Sequence, residues 1–445
     1  MREVLSLHVG QAGCGVGVDM WKQFYDELEQ GKGIALSQTK STHDFQVRGE
    51  STFFRESSSG IFTPRAVFVD TDPMLHDSVN RLSQHIKNDG FREQVIACKR
   101  DARSVYHAGK KECQEAGLLD SAFEKVIDSV EACDNLGGLI VQRSIGGGTG
   151  SAVGDIILAR LRDEFPKTVI LETLLYPSRE SSTSALEPIN TILSLAASRE
   201  SASLSLVLDN QAAYRIARTK LGVTEPSFFE MNSFIARVAS SCTASLRFPA
   251  TLNSSLEEIV TNLVPDRVLR YAIVSVAPPS SASPSAKELL SSLFHPQSYL
   301  CEVPTIRDHP QIAACIQCQG SIEIANIQKS IQSFRNSSRH PIKFAPWISR
   351  SFKVGLVQSP HVPAGTLLSN STAVAVALDE QMLKFETLLA SRKYLWHFME
   401  NGAEMDEFDS AKQSVTSLIE SYKTVTSLCQ QEDQNRQLQR IHSTL

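Results

Sequence analysis

The sequence predicts an α/β protein: a doubly wound, mostly parallel sheet, followed by an α+β intermediate domain and a C-terminal helical layer. Three observations carry this expectation. Short β-rich runs alternate with amphipathic helical segments through the first half. Two glycine clusters stand where a strand gives way to a helix, and the chain from about Ser371 is almost wholly helical.

The elements follow in order. VLSLHV is a strand, then a helix runs from about Val16 to Leu28, and RAVFVD is the next strand. A helical stretch near Phe123 to Ala132 precedes the strand GLIVQRSI, which leads into a helix from Val153 to Phe165. TVILETLL, a helix near Ile189 to Ser198, and SLVLDN continue the pattern. Strand alternating with helix implies parallel strands joined by crossovers. Around Asn210 the rhythm changes to helices, beginning with NQAAYRIARTKL, and the strands YAIVSVAP, AACIQCQG and FKVGLVQS follow. The expected domains are residues 1–210, 211–370 and 371–445. PPSSASPSA, from Pro278 to Ala286, and QTKSTHDFQVRGES read as exposed loops, because they are polar and lack periodicity.

Composition narrows the function classes. The chain has 445 residues, 42% hydrophobic and 21% charged, enough to bury a core and too apolar for a disordered chain. A formal charge of −5 gives no basic footprint for phosphate backbones, so no nucleic-acid partner is expected. Apolar runs fall short of the roughly 18 to 20 residues that span a bilayer, and the start carries Glu3, so neither membrane span nor leader is expected. The nine cysteines lack paired spacing, which fits reduced thiols and a cytoplasmic setting. Cys315 and Cys318 form a CxxC, but no second pair completes four zinc ligands, so both read as buried strand thiols.

The chemistry lies in the glycine clusters, GQAGCGVG after VLSLHV and IGGGTGSA after LIVQRS. Glycine lets backbone N–H groups approach a ligand, and the positive end of the following helix favours an anion, so such turns bind phosphates. Two of them at the carboxyl ends of neighbouring parallel strands outweigh one, and the hydroxyls of Thr149 and Ser151 add donors. The sheet is therefore read as nucleotide-binding. No GxxxxGK[ST] occurs and G-x-G-x-x-G is not cleanly present, which excludes a P-loop and counts against a dinucleotide-dependent oxidoreductase. Asp70 and Asp72, ending the RAVFVD strand, offer oxygen ligands suited to Mg²⁺.

The ordered motifs MREVLSLHVGQAG, RAVFVDTDP, GGGTGS, TASLRFPATLN, TNLVP, FKVG, NSTA and WHFMENGAEMDEF resemble those of tubulins along essentially the whole chain, with a closer likeness to the α class. The resemblance implies a GTP-binding cytoskeletal filament subunit with Mg²⁺ as cofactor and a β-type tubulin or similar subunit as longitudinal partner. Carried over by residue, Gln11 and Ala12 would meet the diphosphate, and Asp72 would serve Mg²⁺. Ser144, Gly147, Gly148 and Thr149 would cradle phosphates, Thr183 and Glu187 would face the ribose, and Asn210 and Asn232 would read guanine. Phe228 would stack on the base in place of a Tyr. For either Asn taken alone, helix capping is the plainer reading. Glu258 would act in trans, positioning water at the nucleotide of the next subunit, while Ser255 replaces an Asp in the same loop.

Departures from the pattern set further expectations. DARSVYHAG retains Asp101 and Ser104 but has no asparagine where the family places a pair near the γ-phosphate. Ala152 replaces a signature glycine and requires a negative φ, and Gly15 stands where a Gln would help contact the nucleotide. PPSSASPSA falls at the lateral-contact loop, and Leu356 to Leu368 reads as a short loop with an open pocket beneath it. The end QQEDQNRQLQRIHSTL has no acidic tail, and Lys40 lacks the flanking residues of an acetylated position. These changes favour, as an alternative, an accessory tubulin that binds GTP without forming a lattice.

Overall fold

In the computed structural model, the described residues are 2–35, 51–56, 62–86, 88–98, 104–177, 184–220, 222–248, 250, 255–277, 285–303, 306–319, 322–335, 343–345, 347, 352–357 and 365–444. Strand β1 (Glu3–Val9) runs into helix α1 (Gly10–Ala35). A small antiparallel pair, β2 (Phe54–Glu56) and β3 (Phe62–Pro64), precedes β4 (Ala66–Asp70), α2 (Leu75–Ile86) and β5 (Val95–Ala97). Then come α3 (Tyr106–Glu115), α4 (Leu118–Glu131), β6 (Leu136–Ser144), α5 (Gly148–Glu164) and β7 (Ile170–Tyr176). The first half closes with α6 (Glu187–Ala197), β8 (Leu204–Asp209) and α7 (Asn210–Lys220).

Helix α8 (Phe228–Cys242), the single turn α9 (Ala244–Arg247) and α10 (Leu256–Leu263) lead to β9 (Tyr271–Ala277). Helix α11 (Ala286–Leu293), β10 (Gln311–Gln319), α12 (Ile324–Arg335), β11 (Phe352–Val357) and β12 (Gly365–Ser371) follow. Helices α13 (Val374–Ser391), α14 (Leu395–Met399) and α15 (Met405–Thr444) end the chain.

Ten strands form one sheet in the order β11-β10-β12-β9-β8-β7-β6-β1-β4-β5. From β5 to β9 every pairing is parallel; β12 is antiparallel to both β9 and β10. The chain winds outward from β1 through β4 to β5, then resumes on the other side of β1 with β6. That reversal opens a crevice outside the carboxyl ends of β1 and β6, where open α/β sheets hold their ligands. β1, β4 and β7 are buried throughout, as strands covered on both faces must be.

The sequence reading missed β12, because GTLLSNS mixes hydroxyls with leucines, yet it fills the place between β9 and β10. Its Asn370 is buried and donates to the carbonyls of Leu263 and Leu269 at 2.8 and 2.6 Å, which accounts for a polar residue there. Cys315 and Cys318 lie buried in β10 on opposite faces, as an offset of three along a strand dictates. Helices α13 and α15 cover α6. Tyr422 on α15 accepts from the Tyr271 N–H at 3.0 Å, and the Tyr176 hydroxyl donates to the Ala377 carbonyl at 3.1 Å, which pins this layer to the sheet. Among the described residues no helix is long and apolar enough to cross a membrane.

Candidate nucleotide site

The first glycine cluster is helix. α1 begins at Gly10, six residues before the expected Val16, so Gln11 and Ala12 lie in its first turn. Gln11 is exposed and Ala12 half-buried, beside N–H groups that have no partner within the helix. Glycine's low helix propensity argued for a later start, but close packing overrides it. A Cβ at Gly13 would come within 2.5 Å of the Gln142 carbonyl oxygen, and one at Gly17 would strike the His8 ring. Gly10 has φ +75°, and a Cβ there would sit 2.7 Å from the Gly150 nitrogen, so the two glycine turns touch.

The second cluster turns β6 into α5. Gly147 is the N-cap of α5, followed by Gly148 and Thr149 in its first turn. Ser144 accepts from the Gly146 N–H at 3.4 Å, and Ser151 donates to the carbonyls of Gly147 and, at 3.2 Å, Gly148. A Cβ at Gly147 would meet nothing within 4 Å, so the turn is open on that side. A Cβ at Gly148 would lie 2.7 Å from the Val105 nitrogen, which packs the start of α3 against the turn. Ala152 lies inside α5 without positive φ and buries its methyl in the core, as the sequence reading required.

A third turn joins the glycine turns. Thr71 and Thr149 hydroxyl oxygens are 2.6 Å apart, which ties the end of β4 to the glycine turn. Asp70 is buried and accepts from the Thr71 N–H at 2.7 Å; Asp72 is half-buried and accepts from the Met74 N–H at 2.9 Å. Among the described residues no group of three or more His, Cys, Asp or Glu could hold a metal. Asp72 beside a phosphate turn nonetheless suits Mg²⁺, which binds through one or two carboxylates plus substrate phosphates.

The remaining residues surround these turns. Glu187 opens α6 and accepts from the Ser184 N–H at 3.2 Å, with its Cγ 3.2 Å from where a Gly146 Cβ would lie. Asn190, which the sequence reading overlooked, is fully buried and joins three segments. It donates to the Gly146 and Ser104 carbonyls at 2.8 and 2.9 Å and accepts from the Tyr106 N–H at 3.0 Å. Asn210 opens α7, where Asp209 accepts from the Gln211 N–H at 2.8 Å. Burial raises the Asp209 carboxyl to about 6.

Asn232 lies inside α8, where capping is impossible; Ser227 caps that helix through a reciprocal pairing with Glu230. Its Nδ2 would be 2.8 Å from a Cβ at Gly15, so the missing side chain on α1 leaves room for this amide. Phe228 is 68% exposed at the start of α8, a ring face free for stacking. Asp101, Thr183, Lys40, PPSSASP and the stretch 358–364 lie outside the described residues.

Ser255 and Glu258 are elsewhere. Ser255 is buried and caps α10, accepting from the Glu258 N–H at 3.2 Å, so it has a structural task besides replacing a carboxylate. Leu256 packs on the amino end of β6: a Cβ at Gly138 would come within 2.7 Å of its Cδ1. Glu257 pairs with Arg2, just before β1, at 3.1 Å. From Gly138 to Ser144 the strand rises about 20 Å, so α10 and the glycine turns occupy opposite edges of the sheet.

Parallel strands, abutting glycine turns and a crevice at the topological reversal define a nucleotide-binding α/β protein. Residues 3–218 match the GTPase domain of the tubulin/FtsZ family, and residues 269–382 match the tubulin C-terminal domain. The chain is 33% identical to the tubulin alpha-1 chain of Schizosaccharomyces pombe over 449 residues, 96% of each chain. It is 33% identical to the tubulin alpha-3 chain of Saccharomyces cerevisiae over 447 residues, 95% of this chain and 97% of that one. The chain belongs to the tubulin family as an α-like member, and it is a GTP-binding cytoskeletal subunit of the tubulin type. The family binds GTP, generally with magnesium, and its members form dimers and filaments with other tubulin subunits.

Proposed function

We propose that this chain binds GTP with Mg²⁺ at the carboxyl edge of its sheet and completes a neighbour's hydrolysis from the amino edge, within a cytoplasmic longitudinal filament that includes a β-type tubulin. The observation that carries this reading is the separation of the two edges. Glu258, about a strand's length from the glycine turns, cannot reach the nucleotide of its own subunit. Stacking identical or related subunits head to tail would bring one subunit's α10 over the next one's turns, a heterologous contact that propagates as a filament. At that junction a carboxylate can polarise the attacking water, which a serine hydroxyl does poorly.

Within one subunit the roles divide by chemistry. The amides of Gln11, Ala12, Gly147, Gly148 and Thr149 receive phosphate oxygens, assisted by the dipoles of α1 and α5. Asp72 holds Mg²⁺ against those phosphates, with Ser144 beside the turn. Glu187 and Thr183 serve the ribose, and Asn210 and Asn232 read the guanine edge while Phe228 stacks on it.

The test is to purify the chain, extract its nucleotide for chromatography, and sediment it with GTP, with and without β-type tubulin. Guanine nucleotide with partner-dependent pelleting and phosphate release is the expected result. Guanine nucleotide without pelleting would leave an accessory tubulin, and absence of guanine nucleotide would overturn the reading.

A further inference from the structure

Beneath the second glycine turn lies a buried polar cluster that the nucleotide reading does not use. Arg143, the penultimate residue of β6, is fully buried. Its Nε donates to Glu172 Oε1 on β7 at 2.7 Å. Its Nη1 lies 2.8 Å from Asp155 Oδ1 and donates to Ser194 Oγ at 2.9 Å, the Ser151 carbonyl at 3.0 Å and the Gly150 carbonyl at 3.2 Å. Ser194 donates to Asp155 at 3.0 Å, and Ser205 donates to the second Glu172 oxygen at 2.6 Å. The Tyr106 ring, on the first residue of α3, is buried near Asp155. Gly154 makes room for the arginine stem: a Cβ there would lie 2.5 Å from Arg143 Cδ.

A buried ion cluster is poor evidence of stabilisation, because desolvation offsets much of the attraction and an apolar core of equal shape does as well. What distinguishes this one is where its donors go. The Gly150 and Ser151 carbonyls belong to the first turn of α5, directly after the open Gly147 corner of the glycine turn. Removing the guanidinium would also leave the fully buried Asp155 and Glu172 carboxyls without their counter-charge directly behind a phosphate site.

We propose that Arg143 is a positioning residue for the phosphate-binding turn: it holds the first turn of α5 by its carbonyls and neutralises the carboxylates behind the amides that receive the phosphates. Ser194 keeps Asp155 in that arrangement and couples it to α6. Arg143 is fully buried behind the turn, and the inference rests on the nucleotide reading above.

The distinguishing readout is how affinity loss scales with phosphate number. GMP, GDP and GTP affinities are measured for the unmodified chain and for Ser194→Ala, Arg143→Lys and Arg143→Gln, alongside each melting temperature. Ser194→Ala removes a single hydroxyl and keeps the fold measurable if the arginine variants fail. The expected result is a loss of about tenfold for GTP, less for GDP and least for GMP, the scale of one hydrogen bond to a charged group. Equal losses for all three nucleotides, or none, would overturn the inference. Failure of the unmodified chain to bind any guanine nucleotide would overturn the nucleotide reading first, and this inference with it.

Discussion

The two edges of one sheet are built by opposite means. At the carboxyl edge, glycines bring backbone against backbone, so that Gly10, Gly148 and Gly150 leave no room for a methyl group. At the amino edge, α10 is held by ordinary devices: a serine cap, an exposed ion pair between Arg2 and Glu257, and Leu256 packed on Gly138. The glycine turns are fixed by steric necessity, whereas α10 is held by interchangeable contacts, although Gly137 and Gly138 at the amino end of β6 are themselves close-packed against Arg2 and Leu256. Substitutions in the glycine turns should therefore disturb the fold and the nucleotide together, whereas those of the polar residues on α10 should change chemistry alone.

The sharpest way to break that contrast is at Gly10. Alanine there must take a left-handed φ, costing about 1–2 kcal/mol, and its methyl would press on the Gly150 nitrogen. Gly10→Ala should lower the melting temperature and leave the purified chain without retained nucleotide. Full nucleotide content by chromatography would show that the turns tolerate separation and would undo the steric account.

Glu258→Ala tests the other edge. Its backbone N–H already binds Ser255, so the helix cap survives the change. GTP binding should stay within about twofold, while phosphate release from assembled material should fall by about a hundredfold, the lower range for a positioned acid–base group. Lost binding in the isolated subunit would place Glu258 at its own nucleotide.

How much of this contrast the sequence discloses follows from what each feature needs. β1, β4, β6, β7 and β8 are legible because strands covered on both faces are largely apolar runs, and β1, β4 and β8 close at Gly10, Asp70 and Asp209. The start of α1 was misplaced because its glycines serve packing against Gln142 and His8, a tertiary demand that local propensity does not encode. Arg143 and Asn190 were invisible for a different reason. A charge in an apolar strand and an amide in a helix look like noise until Glu172, Asp155, Gly146 and Ser104 are brought around them from distant segments. The position of Glu258 away from the glycine turns is likewise a matter of topology, and only strand order places it.

Asn232 bridges the comparison from the carboxyl side. Its amide lies over Gly15, so Asn232→Ala removes a polar group without creating a clash. Preference for GTP over ATP in competition should drop by about tenfold, as expected from one or two hydrogen bonds to the base. Unchanged discrimination would assign its amide to packing against α1.

The smallest effect is expected at Ser255, where the two edges' requirements meet in one residue. Asp caps a helix about as well as Ser, so Ser255→Asp should leave the melting temperature unchanged within about 0.5 kcal/mol of stability. The added carboxylate stands three residues before Glu258, at the same end of α10, and gives the neighbour's site a second acid to orient water. Phosphate release from assembled material should then rise severalfold, with nucleotide affinity unchanged. Burial opposes this gain, since Ser255 is only 8% exposed and a charge there must be satisfied by the helix amides. A rate that does not rise, with stability intact, would mean the cap consumes the carboxylate and that Glu258 alone serves the junction.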